Sequence, residues 1–462
     1  VWLLSPVVEP DVRRSLVRLT CAGYSRIVTR PTSDRTFTVI SLFSGAMGLD
    51  IGLEQTGRFQ TLAAVEEVPS FCETIRKNAE ADRIGNGSMR VYEGDIRCLD
   101  PLDVLSDLGL KPGEVDLVVG GPPCQAFSTN GRRGSVEDPR GTLLWEFLRF
   151  IDAIRPSFFL MENVRGLMSA ALQHRPTAER PEKGGPPLND REQPGSVVQE
   201  FIRDLSGGYR MDVFEVNAVN YGAPQLRERV FFIGNRVDCV VDFPDPTHGL
   251  VAVGSTQDEL FADEKVTLLP YKNLGEALRG LSEKDPVRLE FSPRKQHFLD
   301  MVPPGGNWRS LPPEVAEESM GKSYFIKGGR SGWWRRLSLD LPSPTIVTMP
   351  NHASTALCHP TETRALTLRE CARVQEFPDD WEFCGRPTEQ FAQVGNAVPV
   401  RLGEVAGQVL IEHLEAKHSC EPAALSKVPT VRQVNVQSHV RTRKWFDKGK
   451  AVVRGASGTA SD

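Results

Sequence analysis

The nine cysteines of this 462-residue chain include no C-x-x-C pair, which argues against a zinc ribbon or a thioredoxin-like dithiol. They stand apart at positions 21, 72, 98, 124, 239, 358, 371, 384 and 420, and most are expected to be small, buried, reduced thiols. Long apolar runs are also missing. Val115–Val119 and Val230–Ile233 are typical of what is there, far short of the ~20 residues that cross a bilayer. The opening stretch Val1–Val8 has no basic leader and meets Glu9 and Asp11 at once, so no secretory signal is expected. There is no internal repeat and no dinucleotide G-x-G-x-x-G fingerprint. Neither charge sign dominates: 55 Lys and Arg against 60 Asp and Glu leave a net −5, unlike a general polyanion binder, although local cationic clusters stay open. With 40% hydrophobic and 25% charged residues, a disordered or fibrous chain is excluded. A soluble, cytoplasmic protein without membrane or metal partners is expected.

What is present is rhythm. Phe37–Leu42, Leu62–Val65, Val91–Tyr92, Val115–Val119 and Phe158–Met161 are short apolar runs. Between them Phe71, Ile75 and Ala79, and then Leu143 to Ile154, fall at helical spacing. Strands alternating with helices predict an α/β fold with a mostly parallel sheet, whose ligands gather at the strands' carboxyl ends. The pattern divides the chain into an extension at 1–35, an α/β domain at 36–235 and an irregular smaller domain at 236–365. A return to the first domain follows at 366–416, then a basic tail at 417–462. His174–Gly195, rich in Pro, Gly and charge, predicts a mobile surface insertion. The tail, with Arg441, Arg443, Lys444, Lys448, Lys450 and Arg454 against Asp447, predicts a loosely ordered, solvated end.

The unusual residues stand at strand ends. Phe43-Ser44-Gly45-Ala46-Met47-Gly48 links a strand to a helix, where small residues admit a ligand close to the backbone; a tight packing turn would use the same residues. Glu66 could accept hydrogen bonds from ribose hydroxyls, and Asp95 could face an adenine amino group. Singly each reads as a turn acid. In series at successive strand ends they favour a nucleoside-containing cofactor. Gly120-Gly121-Pro122-Pro123-Cys124-Gln125 holds a thiol on a proline-stiffened loop, a setting for a nucleophile, with an incidental turn cysteine as the alternative. Glu162, ending the neighbouring strand, is a candidate general acid, or a capping residue.

From Phe37 to about Leu414 the chain resembles the DNA cytosine-5 methyltransferase family, specifically the bacterial restriction-modification type. The motifs run in family order: Phe43–Gly48, Glu66, Gly94-Asp95-Ile96, Pro123-Cys124-Gln125, Glu162-Asn163-Val164 and Gln225-Leu226-Arg227-Glu228-Arg229. Arg369-Glu370-Cys371-Ala372-Arg373 with Phe377-Pro378 and Gly395-Asn396-Ala397-Val398-Pro399 complete them. Two positions depart: Glu67 stands where an apolar adenine contact is usual, and Glu376 replaces a glycine. The resemblance implies a class I S-adenosylmethionine-dependent methyltransferase fold, Rossmann-like, with a target recognition domain near 240–363. It implies S-adenosylmethionine held by Phe43, Ser44, Gly45, Gly48, Glu66, Asp95, Ile96, Pro123, Leu143, Asn396 and Val398. Cys124, Glu162, Arg227 and Arg229 become the catalytic set: Cys124 the nucleophile, Glu162 at cytosine N3, Arg229 at O2 and Arg227 supporting the pocket. The substrate implied is double-stranded DNA with the target base flipped out, and the enzyme a prokaryotic, nucleoid-associated monomer. A companion restriction endonuclease acting on the same site is the partner such an enzyme suggests.

Gln125, Ser128, Arg132, Arg133 and Arg140, after the nucleophile, are candidate DNA contacts. So are Lys327, Arg330, Arg335 and Arg336, which with Lys322 face Asp340 alone and surround Trp333-Trp334. Basic residues among aromatics suit groove contacts; a solvated loop over a tryptophan-anchored core is the alternative. Three rival functions are an RNA methyltransferase of the same family, an inactive DNA-binding relative and a nicotinamide dehydrogenase. The absent Cys-Phe-Thr tripeptide, the intact Cys124, Glu162 and Arg229, and the missing dinucleotide fingerprint count against them in turn.

Overall fold

The apolar run Phe37–Leu42 forms β1, and the strands that follow lay down beside it in a computed structural model. It describes residues 35–123, 143–205, 208–249, 268–326, 332–417, 431–435, 446–447 and 450–451. After β1 come α1 (Gly48–Gln55), β2 (Phe59–Glu66), α2 (Pro69–Glu80), β3 (Arg90–Glu93), α3 (Pro101–Asp107) and β4 (Leu117–Gly120). Then follow α4 (Leu143–Ile154), β5 (Phe158–Asn163), α5 (Ser196–Asp204), β6 (Arg210–Asn217), β7 (Gln225–Leu226) and β8 (Glu228–Asn235). The main sheet has eight strands in the order β12-β6-β8-β5-β4-β1-β2-β3, where β12 is Val431–Asn435. Only β8 runs antiparallel to its neighbours. Chain order reverses at β1, which pairs β2 on one side and β4 on the other, and the expected ligand crevice lies at such a switch point.

The period of two along the strands sorts the core into two layers. Ile40, Leu42, Val118, Phe159 and Met161 face α3, α4 and α5. Val39, Leu117, Val119, Phe158 and Leu160 face α1 and the long helix α11 (Val400–Lys417). Two glycines bring those two helices together. A Cβ on Gly52 would stand 2.1 Å from the Val400 carbonyl oxygen, and one on Gly403 2.3 Å from that of Leu49. The C-terminal helix is thus seated backbone to backbone on the helix that follows β1.

The region from 236 to 365 holds β9 (His248–Gly249), β10 (Leu269–Pro270), α6 (Leu274–Leu278), α7 (Pro293–Asp300), α8 (Pro313–Met320) and β11 (Ser343–Pro344). Its own small core gathers Phe291, Phe298, Leu299, Val302, Met320 and Trp334. Leu274, Leu337, Ile346 and Leu357 instead join a third core with Ile51 of α1, Ile75 of α2 and residues of α9 (Leu368–Val374) and α10 (Pro387–Asn396). The irregular region is therefore stitched into the body of the main sheet along the segment around Ile346.

Two sequence expectations gain detail. His174–Gly195 is largely exposed, as expected of a surface insertion, but not without internal ties: Arg175 pairs with buried Glu192 at 2.5 Å and donates to the carbonyls of Pro186 and Pro187. Asn189 and Glu192 close a reciprocal capping box there. Nor is the tail wholly loose, since Val431–Asn435 pairs in parallel with Met211–Glu215 at the sheet edge. Neither contact has local sequence periodicity to announce it. Among the described cysteines Cys72, Cys358, Cys371 and Cys384 are buried, Cys239 half-buried and Cys98 exposed. Among the described residues no helix is long and apolar enough to cross a membrane, and no cluster of metal-ligating side chains occurs.

Candidate active site

A cleft of about 690 Å³ opens where β1 to β5 end. Its floor begins at the turn after β1. Phe43 and Met47 both adopt left-handed backbone conformations, with φ of 53° and 64°, which cost a non-glycine residue about 1–2 kcal/mol each. The turn is held by the Glu66 carboxylate: Oε2 accepts from the Gly45 amide at 2.8 Å, and Oε1 accepts from those of Glu67 and Val68 at 3.0 Å. A carboxylate offers about four acceptor positions, so Oε2 keeps one for a ligand hydroxyl. Burial pushes the Glu66 carboxyl upward, against the pull of those amide hydrogen bonds.

Asp95 follows β3 and lines the same cleft. Its carboxylate is engaged by Arg97, with Nε at 2.9 Å from both oxygens and the Arg97 amide capping Oδ1, an arrangement that holds it below the usual carboxylate range. The sequence reading missed Arg97, although a cation two residues from a turn acid is the signal for it. Phe43, Ile96, Pro123, Leu143 and Val398 supply apolar wall, while Ser44, Gly48 and Asn396 complete the lining. All eleven residues expected at a cofactor site border this one cleft. Glu67 borders it too, and beside it Val68, 36% exposed, offers the apolar surface that Glu67 lacks.

At the other end Glu162 and Arg229 meet. The Arg229 Nε pairs with Glu162 Oε1, both side chains being about one-tenth exposed, and Arg229 Nη1 donates to the Glu228 carbonyl at 2.7 Å. A Cβ on Gly121 would lie 3.1 Å from Glu162 Oε2, so glycine lets the loop after β4 pass this close. Asn163 donates to the Pro122 carbonyl at 3.0 Å and pins the loop two residues before position 124. Cys124 itself, with Gln125, Ser128, Arg132, Arg133 and Arg140, lies outside the described residues. Arg227 is fully buried and spends its donors on the protein: Nη1 on the Ile346 carbonyl and Nη2 on that of Gly395, both at 2.9 Å. Burial, with Arg229 beside it, holds its guanidinium well below the usual range.

A family model described as C-5 cytosine-specific DNA methylase matches residues 37–412. The chain belongs to that family. It is a DNA cytosine-5 methyltransferase. The Type II methyltransferases M.PspPI of Psychrobacter sp. and M.Eco47II of Escherichia coli are 37% and 36% identical to it over 387 and 394 residues. Each match covers 83% of this chain, and 80% and 81% of those relatives. A solved E. coli structure, described as a DNA modification methyltransferase encoded within a prophage, aligns with a TM-score of 0.53 at 23% identity. The alignment covers 82% of this chain and 99% of that one. That likeness bears on the fold, which is the class I methyltransferase fold expected.

In the methyltransferase's irregular region from 236 to 365 the basic stretch divides. Lys327 and Arg330 lie outside the described residues. Arg336, expected at a groove surface, is buried instead: Nη2 donates to the Leu299 carbonyl at 2.8 Å and to Thr363 Oγ1 at 2.6 Å. It is a bolt within the small core, where Trp334 also lies, its indole donating to Ser319 Oγ at 2.9 Å. This corrects the reading of Arg336 as a DNA contact. Arg335 is half-buried, no described residue accepts a hydrogen bond from its side chain, and burial pushes it down to about 10.

One buried and one half-buried carboxyl should make the methyltransferase's stability depend on pH. Burial pushes Asp50, beneath the turn, up to about 7 against a Ser41 hydrogen bond, with Glu54 adding to the rise. Glu376, at φ 63° where a glycine would be unstrained, is raised by burial to about 7 against Arg401 and Lys272. Both folded values exceed the unfolded ones, so the folded chain holds protons that the unfolded chain has released. Their contribution is therefore full below about pH 4 and is lost as pH rises through 7. Asp50→Asn should remove part of that decline, on the order of a few kcal/mol. Urea midpoints of wild type and variant at pH 5 and 8.5 check it, and an unchanged pH dependence would count against the assignment.

Proposed function

We propose that this methyltransferase uses S-adenosylmethionine to methylate carbon 5 of a cytosine flipped out of a specific duplex sequence. It would do so through a covalent bond between Cys124 and carbon 6, as the modification enzyme of a restriction-modification system. The observation that carries the reading is the Glu162–Arg229 pair facing the same cleft as the Glu66-closed turn. N3 and O2 are adjacent on the cytosine ring, and a carboxyl and a guanidinium already in contact suit adjacent atoms.

The cofactor fits the donor set present. Glu66 Oε2 has room for a ribose hydroxyl, Asp95 can share its carboxylate with an adenine amine, and apolar walls flank both. When bound it supplies an electrophilic methyl group. The chain's own residues do the rest. Cys124, as thiolate, adds to carbon 6 and leaves carbon 5 electron-rich; Glu162 meets the charge developing at N3 by donating a proton or hydrogen bond. Arg229 holds O2 so that the ring lies edge-on to the cleft. After carbon 5 takes the methyl group, loss of its proton returns the electron pair that expels Cys124 as thiolate. Extraction of the base costs a few kcal/mol, to be offset by contacts from the loop after Cys124, where Gln125, Ser128, Arg132, Arg133 and Arg140 are proposed to meet DNA.

Recognition is proposed to reside in the smaller domain, with Lys327, Arg330 and Arg335 as its cationic contacts. Arg335→Ala should relax the methylated sequence at one base pair, a loss of about 1–3 kcal/mol of discrimination, with thermal stability intact. Arg336→Ala should instead lower the melting temperature, because buried hydrogen-bonded groups lose about 1–3 kcal/mol each when orphaned. Methylation profiling on a random-sequence library separates the two. A wild-type site preference in folded Arg335→Ala would leave that residue without a reading role. Bisulfite sequencing of DNA from cells expressing the chain tests the function as a whole: methylated cytosines should fall within one short sequence. Their absence in cells making folded protein would contradict it.

A further inference from the structure

The polar groups buried behind the cleft converge on one side chain that is not part of its lining. Gln375, fully buried just after α9, accepts at Oε1 from Gln225 Nε2 at 2.6 Å. Its own Nε2 donates to the carbonyls of Val394 at 2.6 Å and Ala397 at 3.1 Å, and its backbone carbonyl accepts from Val400 at 3.0 Å. Gln225 in turn accepts from the Ile346 amide at 3.3 Å, and Arg227 binds the carbonyls of Ile346 and Gly395. Three segments of the cleft wall are thereby joined. They are the end of α10 and the turn after it, from Gly395 to Val398, the segment 345–348, and the chain running from Arg227 into β8, which carries Arg229. Gln375 itself does not line the cleft. Gln375, Gln225, Val394 and Ala397 are all buried, so the groups they exchange have lost bulk water as an alternative partner.

We propose that Gln375 is a positioning residue for methyl transfer. It fixes the end of α10 and the turn through Val398 against the strand of Arg229, so that the cofactor and the target base are presented to each other in register. The inference rests on the methyltransferase reading above and adds to it a residue remote from the reacting atoms. Two donors and one acceptor are needed at once, which an amide supplies and no other side chain of its size does. In Gln375→Glu a carboxylate oxygen faces the Val394 and Ala397 carbonyls, and in Gln375→Met volume is kept but every hydrogen bond is lost.

The test uses the full chain, with calorimetric titration of S-adenosylmethionine, steady-state kinetics on duplex DNA and thermal melting. For Gln375→Glu the cofactor Kd and KM should rise, and kcat fall, by about tenfold or more, while the KM for DNA stays within about twofold because its contacts lie elsewhere. The deficit in Kd should shrink as pH is lowered from about 8.5 to 6, where a protonated carboxyl donates again; the Met variant should show no such recovery. Should the Glu variant not fold, Gln375→Met carries the same expectation for Kd, KM and kcat. A folded variant with cofactor affinity and kcat near wild type would overturn the proposal. So would losses in which both KM values rise together in step with a lowered melting temperature. An inactive wild-type chain would instead fault the methyl-transfer reading, and the calorimetric arm would still decide the role of Gln375.

Discussion

Arg229→Ala should lower the rate of methyl transfer at saturating DNA and cofactor by about 10²–10³ or more, with cofactor affinity within a few-fold of wild type. Two effects add. The variant loses the group assigned to the cytosine O2, and it strands Glu162, whose carboxylate is about one-tenth exposed and paired with Arg229 Nε. Removing one partner of such a pair is far more damaging than its net contribution suggests, about 3–5 kcal/mol. Arg229→Lys keeps the charge but not the planar fork, and should recover only part of the rate. Single-turnover rates for both variants, beside melting curves, make the comparison. A folded Arg229→Ala with a rate within a few-fold of wild type would remove Arg229 from the base pocket.

Cys124→Ala should abolish methyl transfer altogether while leaving cofactor affinity within a few-fold, because the thiol is assigned to the cytosine and not to the cofactor. Asp95→Ala should do the reverse and weaken cofactor binding first. Loss of cofactor binding in folded Cys124→Ala would contradict this division of labour.

Strand ends carried most of the site's legibility. Glu66, Asp95 and Glu162 were visible because each follows a short apolar run, and the sheet brings those ends to one edge. Ordered motifs supplied what spacing alone left open, down to Asn396 and Val398, more than three hundred residues from Phe43 in the chain. Contacts made by long-range closure were not visible. Arg336 carries the composition of a groove-facing cation, yet its donors find the Leu299 carbonyl and Thr363 Oγ1; a Trp-rich stretch reads alike whether it covers a core or meets DNA. The Arg175–Glu192 pair and the edge strand Val431–Asn435 were hidden for the same reason. Gln375 was overlooked because a buried amide leaves no periodic signature. Its role shows only when its partners' positions in space are known.

Duplex DNA carrying 5-fluorocytosine at the target position tests the central claim most directly, since fluorine cannot leave as the carbon 5 proton does. After methyl transfer the enzyme should remain joined to the base, giving a complex that survives denaturing electrophoresis and requires S-adenosylmethionine. Peptide mapping by mass spectrometry should place the adduct on Cys124. An adduct on any other cysteine, or none from enzyme that methylates the unmodified duplex, would contradict the covalent mechanism built on this residue.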